Sequence, residues 1–167
     1  NIVEEDFGFR FETVAPVNNP PLQKKLLKMD SDTTERHMTS NWFMPFGRKL
    51  NIRYPNGLVH AIITYATPID DEHSMICQWA YRSDSEADAP AEQIIAFDRQ
   101  VTEEDKRVLE STEYDAPLDT ASGEERHMPS DQPGMVMRKM LLALLARFGE
   151  EEARISGARI PMKEKAS

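Results

Sequence analysis

Asn56-Gly57 stands between two runs of β-forming residues, and this dipeptide is a strong hairpin signal because both central positions of a tight turn take positive φ. Upstream, residues 37–46 hold Trp42, Phe43 and Phe46, and residues 48–54 continue extended to Tyr54. Downstream, residues 58–67 are apolar on both faces, which places that strand inside its sheet. A polar turn over Pro68 to Glu72 follows. Residues 73–82 then alternate, with Met75, Cys77, Trp79 and Tyr81 on one face and Ile76, Gln78, Ala80 and Arg82 on the other. Near the start, Phe7, Phe9 and Phe11 alternate with Gly8, Arg10 and Glu12, again at period two. Pro16, Asn18, Asn19, Pro20 and Pro21 read as a mobile loop that ends near a short basic stretch, Leu22 to Met29. Four or five antiparallel strands joined by short turns make a curved sheet that must cover one face.

The pattern changes at Ser83. Residues 83–90 (SDSEADAP) read as a solvated linker, and Pro90 suits the first turn of a helix over 91–112. Glu113 to Ser130 has no period. A second helix is predicted over 131–148, with Asp131 as N-cap, Pro133 in the first turn and Gly149 as terminator. Its stripe of Met137, Met140, Leu141, Leu144, Leu145 and Phe148 is thick enough to pack on the sheet. Met135, Met137 and Met140 are core or subunit-contact material rather than a cofactor box. The predicted class is α+β: a curved antiparallel sheet with C-terminal helices packed on it. Residues 1–82 are mainly β, 91–148 mainly α and 149–167 a charged, fraying tail, all within one domain of 167 residues.

Charge narrows the partners. Lys plus Arg number 20 against 29 Asp plus Glu, a formal charge of −9. Nucleic acid and anionic membrane surfaces demand a basic face and are disfavoured. A neutral or cationic small molecule, or a basic protein, is compatible. No apolar run approaches the roughly 20 residues of a spanning helix, and no charged-then-apolar leader opens the chain. The single cysteine, Cys77, excludes an internal disulfide framework and suits a reducing cytoplasm; beside Trp79 on a strand face, it reads as core packing. The chain begins at Asn1 and enters a strand pattern almost at once, which reads as a portion of a longer protein.

On a helical wheel at about 100° per residue, with Ile94 at zero, Phe97, Val101, Val108 and Leu109 fall within about 60° of it. Asp105 falls at about 20° and Asp98 at about 40° on the same stripe, while Arg99, Glu103, Lys106, Arg107 and Glu110 point away. A carboxylate in a core-facing stripe is costly unless it is paired or binds a metal. One reading pairs Asp98 or Asp105 with a buried Arg. The other makes it a ligand or acid/base group at the end of a pocket under the helix. Periodicity leaves both open.

The stretch from Ile95 to Glu110, IAFDRQVTEEDKRVLE, resembles the C-terminal signature of Rieske oxygenase large subunits. There a hydrophobic–Asp–Arg or Gln pattern leads into Glu-Asp, then a basic residue and an aliphatic pair. The stretch from Gly123 to Leu145, GEERHMPSDQPGMVMRKMLLALL, is similar to the family's next segment, a polar loop ending in a Pro-x-Asp pattern that opens a helix with a basic residue near Arg138. The two match in order and separation, and the resemblance covers most of residues 36–148. The upstream β pattern is consistent with the family's helix-grip catalytic domain.

The resemblance implies a mononuclear Fe(II) held on one face by two histidines and a carboxylate, with open positions for O₂ near substrate. By position in the Glu-Asp pair, the carboxylate is Asp105. It also implies a [2Fe-2S] Rieske cluster, an electron-donating reductase or ferredoxin, and a homotrimer. The sequence departs from the family in its histidines. His37, His60, His73 and His127 include no pair at helical ligand spacing, so none is assigned to the metal. The cluster needs two Cys and two His, which one cysteine rules out within these residues. They therefore hold a carboxylate and part of a pocket, and alone should be inactive.

Thr102, one turn before Asp105, could border the pocket. Tyr81 and Gln78 end the strand before the helix and face opposite sides, so only one of these substrate candidates looks inward. Asp98 is favoured as an ion-pair partner over a hydrogen-bonding role beside the metal. The expected function is O₂-dependent hydroxylation or oxidative demethylation of a small aromatic or alkaloid-like molecule, with the sheet as pocket floor. Two competitors remain: a non-catalytic helix-grip ligand-binding domain, with Asp105 in an internal ion pair, and a structural domain with no pocket beneath residues 94–109.

Overall fold

The structure is a computed structural model and describes residues 1–112, 115–121 and 125–154. They fall into two compact units, Asn1–Arg107 and Val108–Ser167.

The first unit is an open meander of six antiparallel strands in the order β1-β2-β3-β4-β5-β6: β1 (Ile2–Glu5), β2 (Gly8–Asn18), β3 (Thr33–Phe43), β4 (Gly47–Arg53), β5 (Val59–Pro68) and β6 (Ser74–Arg82). There are six strands rather than four or five, because the N-terminal alternation is itself a hairpin, with Glu5 paired to Gly8. Phe7 lies in its turn and is exposed, while Phe9 is buried. Asn56-Gly57 sits in the β4–β5 hairpin as expected, but only Gly57 takes positive φ, +84°; its N–H donates to the Tyr54 carbonyl at 3.0 Å, so the turn runs from Tyr54 to Gly57 and Asn56 is not left-handed. β5 is an interior strand, flanked by β4 and β6.

The expected loop from Pro16 to Pro21 is instead the end of β2 and the start of a short helix, α1 (Pro21–Leu27), which takes in most of the basic stretch from Leu22 to Met29. Proline breaks a helix interior but suits its first position, so Pro20-Pro21 opens a helix here rather than excluding one. Buried Asn19 braces this segment: its backbone N–H donates to Asp32 O at 2.8 Å, and its amide donates to Ser31 O and the Thr34 hydroxyl. Leu27 packs with Ile52, Tyr54 and Leu58, with Met29, Met38 and Leu50 at the edge of the cluster. Leu26 packs with Ala89 and Ile94, joined by Phe97.

Ala89 and Ile94 bring in α2 (Ala91–Leu109), so this helix packs over the same side of the sheet as α1. Lys28, just past α1, pairs with Asp88 just ahead of α2. The register puts Ile52 opposite both Met38 and His60, and His60 opposite Arg82, so these residues share the helix-facing side. The other side leaves Ile63, Tyr65, Met75, Trp79 and Tyr81 exposed, with the Tyr65 and Trp79 rings edge-on at 6.2 Å.

In the second unit a 3₁₀ turn, Pro129–Asp131, leads into α3 (Gln132–Phe148), which ends at Gly149 in the left-handed region. Asp131 is the N-cap residue as expected, although its carboxylate accepts from the Met128 backbone N–H rather than from the helix. Arg138, the basic residue of the second matched segment, pairs with Glu125 of the loop before the helix. That guanidinium holds the Glu125 carboxyl below the usual range. Arg154 pairs with Asp115, and Glu152 accepts from the Leu118 backbone N–H at 2.8 Å. The start of the second matched segment, Gly123 and Glu124, and the tail from residue 155 lie outside the described residues.

Candidate functional site

Helix α2 carries the motif, and only two of its residues, Ile94 and Asp98, are buried. Their spacing of one turn places both on the face that meets the sheet and α1. The helix begins after Pro90, and the Glu86 carboxylate accepts from the Ala91 N–H at 2.9 Å, satisfying one of the open donors of the first turn.

Asp98 lies against His60 of β5. Nε2 of His60 and Oδ2 of Asp98 are 3.4 Å apart, and both side chains are less than a tenth exposed. Neither atom has a hydrogen bond of good geometry. The sequence reading favoured an ion pair for Asp98, and a pair is what forms, with a histidine as partner in place of an arginine. Tyr54, buried on the same side, has its hydroxyl pKa raised by desolvation; the charges of Arg36 and Arg82 act to lower it, and that of Asp98 to raise it. The Arg36 guanidinium sits 5.7 Å from the centre of the Tyr54 ring. A polar group of His60, Asp98, Tyr54, Arg36 and Arg82 thus lies between strands and helices.

Asp105 differs from the wheel reading. It is exposed, and Val101, Val108 and Leu109 on the same stripe are exposed with it. The contacts of α2 with α1 and the sheet reach only its first half, so the stripe continues past the surface that covers it. The carboxylate that carries the burial cost is Asp98. Asp105 has no hydrogen-bond or ion-pair partner among the described residues, which leaves its oxygens free to bind.

The other candidates are dispersed. Thr102 is half-buried and donates its hydroxyl to the Asp98 carbonyl at 2.9 Å. Gln78 lies on the His60 side of the sheet, exposed, and accepts from the Thr64 hydroxyl at 3.4 Å. Tyr81 is on the opposite, outer side and exposed. Of the strand pair, Gln78 is therefore the one on the helix side. His37 and His73 are exposed beside Glu35 and Asp70. His127 is in a loop. Cys77 is a partly buried free thiol on the outer side, with the Thr67 hydroxyl 4.0 Å away.

Two open hollows occur elsewhere: one of about 430 Å³ against α3, bordered by Leu118, Met135 and Lys139, and one of about 270 Å³ bordered by Leu27, Asn56 and Asp84. No residue of α2 lines either. Among the described residues no three His, Cys, Asp or Glu side chains converge as a metal site. Asp105 fits one position of a ferrous site, as an accessible carboxylate, and the described residues supply no second. No described helix is long and apolar enough to cross a membrane.

The fold is an antiparallel sheet with a helix that bears the Glu-Asp motif packed against it. Residues 2–147 match the vanillate O-demethylase oxygenase C-terminal domain family, and the chain belongs to that family. No curated protein and no solved structure matches.

Proposed function

We propose that this chain is the C-terminal catalytic part of a Rieske-type oxygenase that hydroxylates or oxidatively demethylates a small organic molecule, and that Asp105 supplies the carboxylate ligand of a mononuclear Fe(II). The observation that carries this reading is Asp105 itself: an accessible, unpartnered carboxylate within the family-matched segment, on the same face of α2 as Asp98. A ferrous ion held by two histidines and a carboxylate keeps positions open for O₂. The chain's own contribution is to hold that carboxylate on a helix seated on the sheet. The two histidines and the [2Fe-2S] cluster would come from residues outside this chain, and electrons from a reductase or ferredoxin. A homotrimer is proposed from the resemblance alone, and a cytoplasmic location from the single cysteine. The formal charge of −9 supports a cationic, alkaloid-like substrate over an anionic aromatic one. Gln78 and Thr102, on the helix side, are the proposed substrate neighbours; Tyr81, on the outer side, is a weaker candidate.

The test is the iron content and O₂ uptake of the full-length protein against its Asp105→Ala variant. Loss of the mononuclear iron and of O₂ uptake is expected, with the two irons of the [2Fe-2S] cluster kept. Retained mononuclear iron and uptake would sink the ligand assignment, and a parent protein that holds no such iron and takes up no O₂ would favour a non-catalytic helix-grip binding domain.

A further inference from the structure

We propose that His60 and Asp98 form a buried clamp that sets the rotation of α2 on the sheet, making them positioning residues for the Asp105 carboxylate. The inference rests on the ligand reading of Asp105; it adds His60, which neither the motif nor the wheel brings to that site, and gives Asp98 a positioning role.

The clamp is an unusual way to seat this helix. The rest of its attachment is apolar: Ile94 against Leu26 and Ala89, with Phe97 at the side. An aliphatic residue at position 98 would extend that stripe and avoid the cost of burying a carboxylate. Apolar contact is non-directional, however, and lets a helix turn or slide at little cost. The His60 ring on an interior strand and the Asp98 carboxylate on the helix, with Nε2 and Oδ2 3.4 Å apart, come this close at only one rotation of the helix, and buried polar pairs are best attested as devices that fix register. His60 cannot drift, since β5 is held on both sides, opposite Ile52 and Arg82.

The distance to Asp105 makes rotation matter. Asp105 lies seven residues beyond Asp98, two turns and about 10 Å along the axis, and about 20° around it. Asp98 is the last buried residue of the helix, so no buried contact beyond it restrains that stretch. A carboxylate about 6 Å from the axis moves about 2 Å when the helix turns by 20°. Metal–ligand distances tolerate only about 0.2 Å, so a misrotation of this size would empty the ligand position.

Thr102, whose hydroxyl bonds the Asp98 carbonyl, links the clamp to the next turn.

The experiment uses the full-length protein with Fe(II) alone as the probe, and Co(II) loaded in its place for spectroscopy. His60→Ala and Asp98→Asn are compared with Asp105→Ala, with thermal midpoints as the fold control. Asp98→Asn keeps the side chain's size, so it reports even where His60→Ala does not fold. The clamp predicts about tenfold or greater loss of Fe(II) affinity in the folded variants, a figure typical of residues that orient ligands. It also predicts an altered Co(II) absorption spectrum and faster amide exchange over residues 99–107, with strand amides unchanged. His60→Gln, which retains a donor, should recover part of the affinity. Should Asp105→Ala lose iron while folded His60→Ala and Asp98→Asn bind it as the parent does, with unchanged spectrum and exchange, the clamp is overturned and the ligand reading stands. Should Asp105→Ala keep its iron, the ligand reading fails and the clamp's role fails with it.

Discussion

Arg82, the last residue of β6, donates from Nη2 to the Leu26 carbonyl at 2.7 Å and so ties the end of α1 to the sheet. The same nitrogen donates to Asp84 Oδ2 at 2.6 Å, and Nε to Oδ1 at 3.0 Å. Its side chain is 8 % exposed and that of Asp84 15 %. Removing the guanidinium would strand a carboxylate and a carbonyl in a nearly dry place. Arg82→Ala is expected to cost about 3 kcal/mol in urea unfolding, and Arg82→Lys to recover only part, because an ammonium cannot reproduce the fork. A loss below about 1 kcal/mol would place this pair with ordinary surface bridges.

Acid should loosen the same corner. The hydrogen bond from Arg82 holds the Asp84 carboxyl below its ordinary value. Lys28, with help from Ser85, holds Asp88 down at about 2. A depressed carboxylate contributes stability that is complete above its unfolded value of 3.8 and fades as pH falls toward the folded value. The thermal midpoint should therefore drop as pH is lowered from 3.8 toward about 2. Asp84→Asn combined with Asp88→Asn should flatten that part of the profile; an equally steep fall in the double variant would assign it to other groups.

Two glycines should respond unequally to alanine. A Cβ on Gly8 would sit 1.8 Å from the Trp42 carbonyl oxygen, a backbone atom locked in the β2–β3 ladder. Gly8→Ala should cost at least about 3 kcal/mol or prevent folding. Gly57 has a φ of +84° but open space around it, so Gly57→Ala should cost only about 1–2 kcal/mol, the strain of a left-handed backbone.

The seating of α1 can be read from its two faces. Leu27 is 3 % exposed and packs with Ile52, Tyr54 and Leu58, whereas Leu22 is 51 % exposed. Leu27→Ala should destabilise by about 2–5 kcal/mol, and Leu22→Ala by less than about 0.5 kcal/mol. Equal effects would mean that the segment is not a docked helix.

The two tryptophans report on the two sides of the sheet. Trp42 is 8 % exposed and Trp79 58 %. Acrylamide should quench the Trp79 emission and leave most of that from Trp42, and Trp79→Phe should remove the quenchable part. Protection of Trp79 in the full-length protein would show that another surface covers the outer face there.

The strands were legible because period-two alternation and Asn-Gly turns are local signals, and antiparallel neighbours need only short connections. The helix read over 91–112, which forms over Ala91–Leu109, was legible for the same reason, and its Glu-Asp motif with the segment from Gly123 to Leu145 carried the family resemblance. Helix α1 was not: seven residues are too few for a period, and two prolines read as punctuation until Leu26 and Leu27 are seen to fill the core beneath them.

The sequence by itself placed Asp98 and Asp105 on one face of one helix, since rotation per residue is a property of the backbone. Only the tertiary structure decided which of them is buried. How far along a helix its neighbours reach depends on where β5 and α1 end up, and those residues lie far back in the chain. Ordinary wheel geometry is blind to that distance. Packing stops just past Asp98, which His60 meets, and leaves Asp105 accessible two turns beyond.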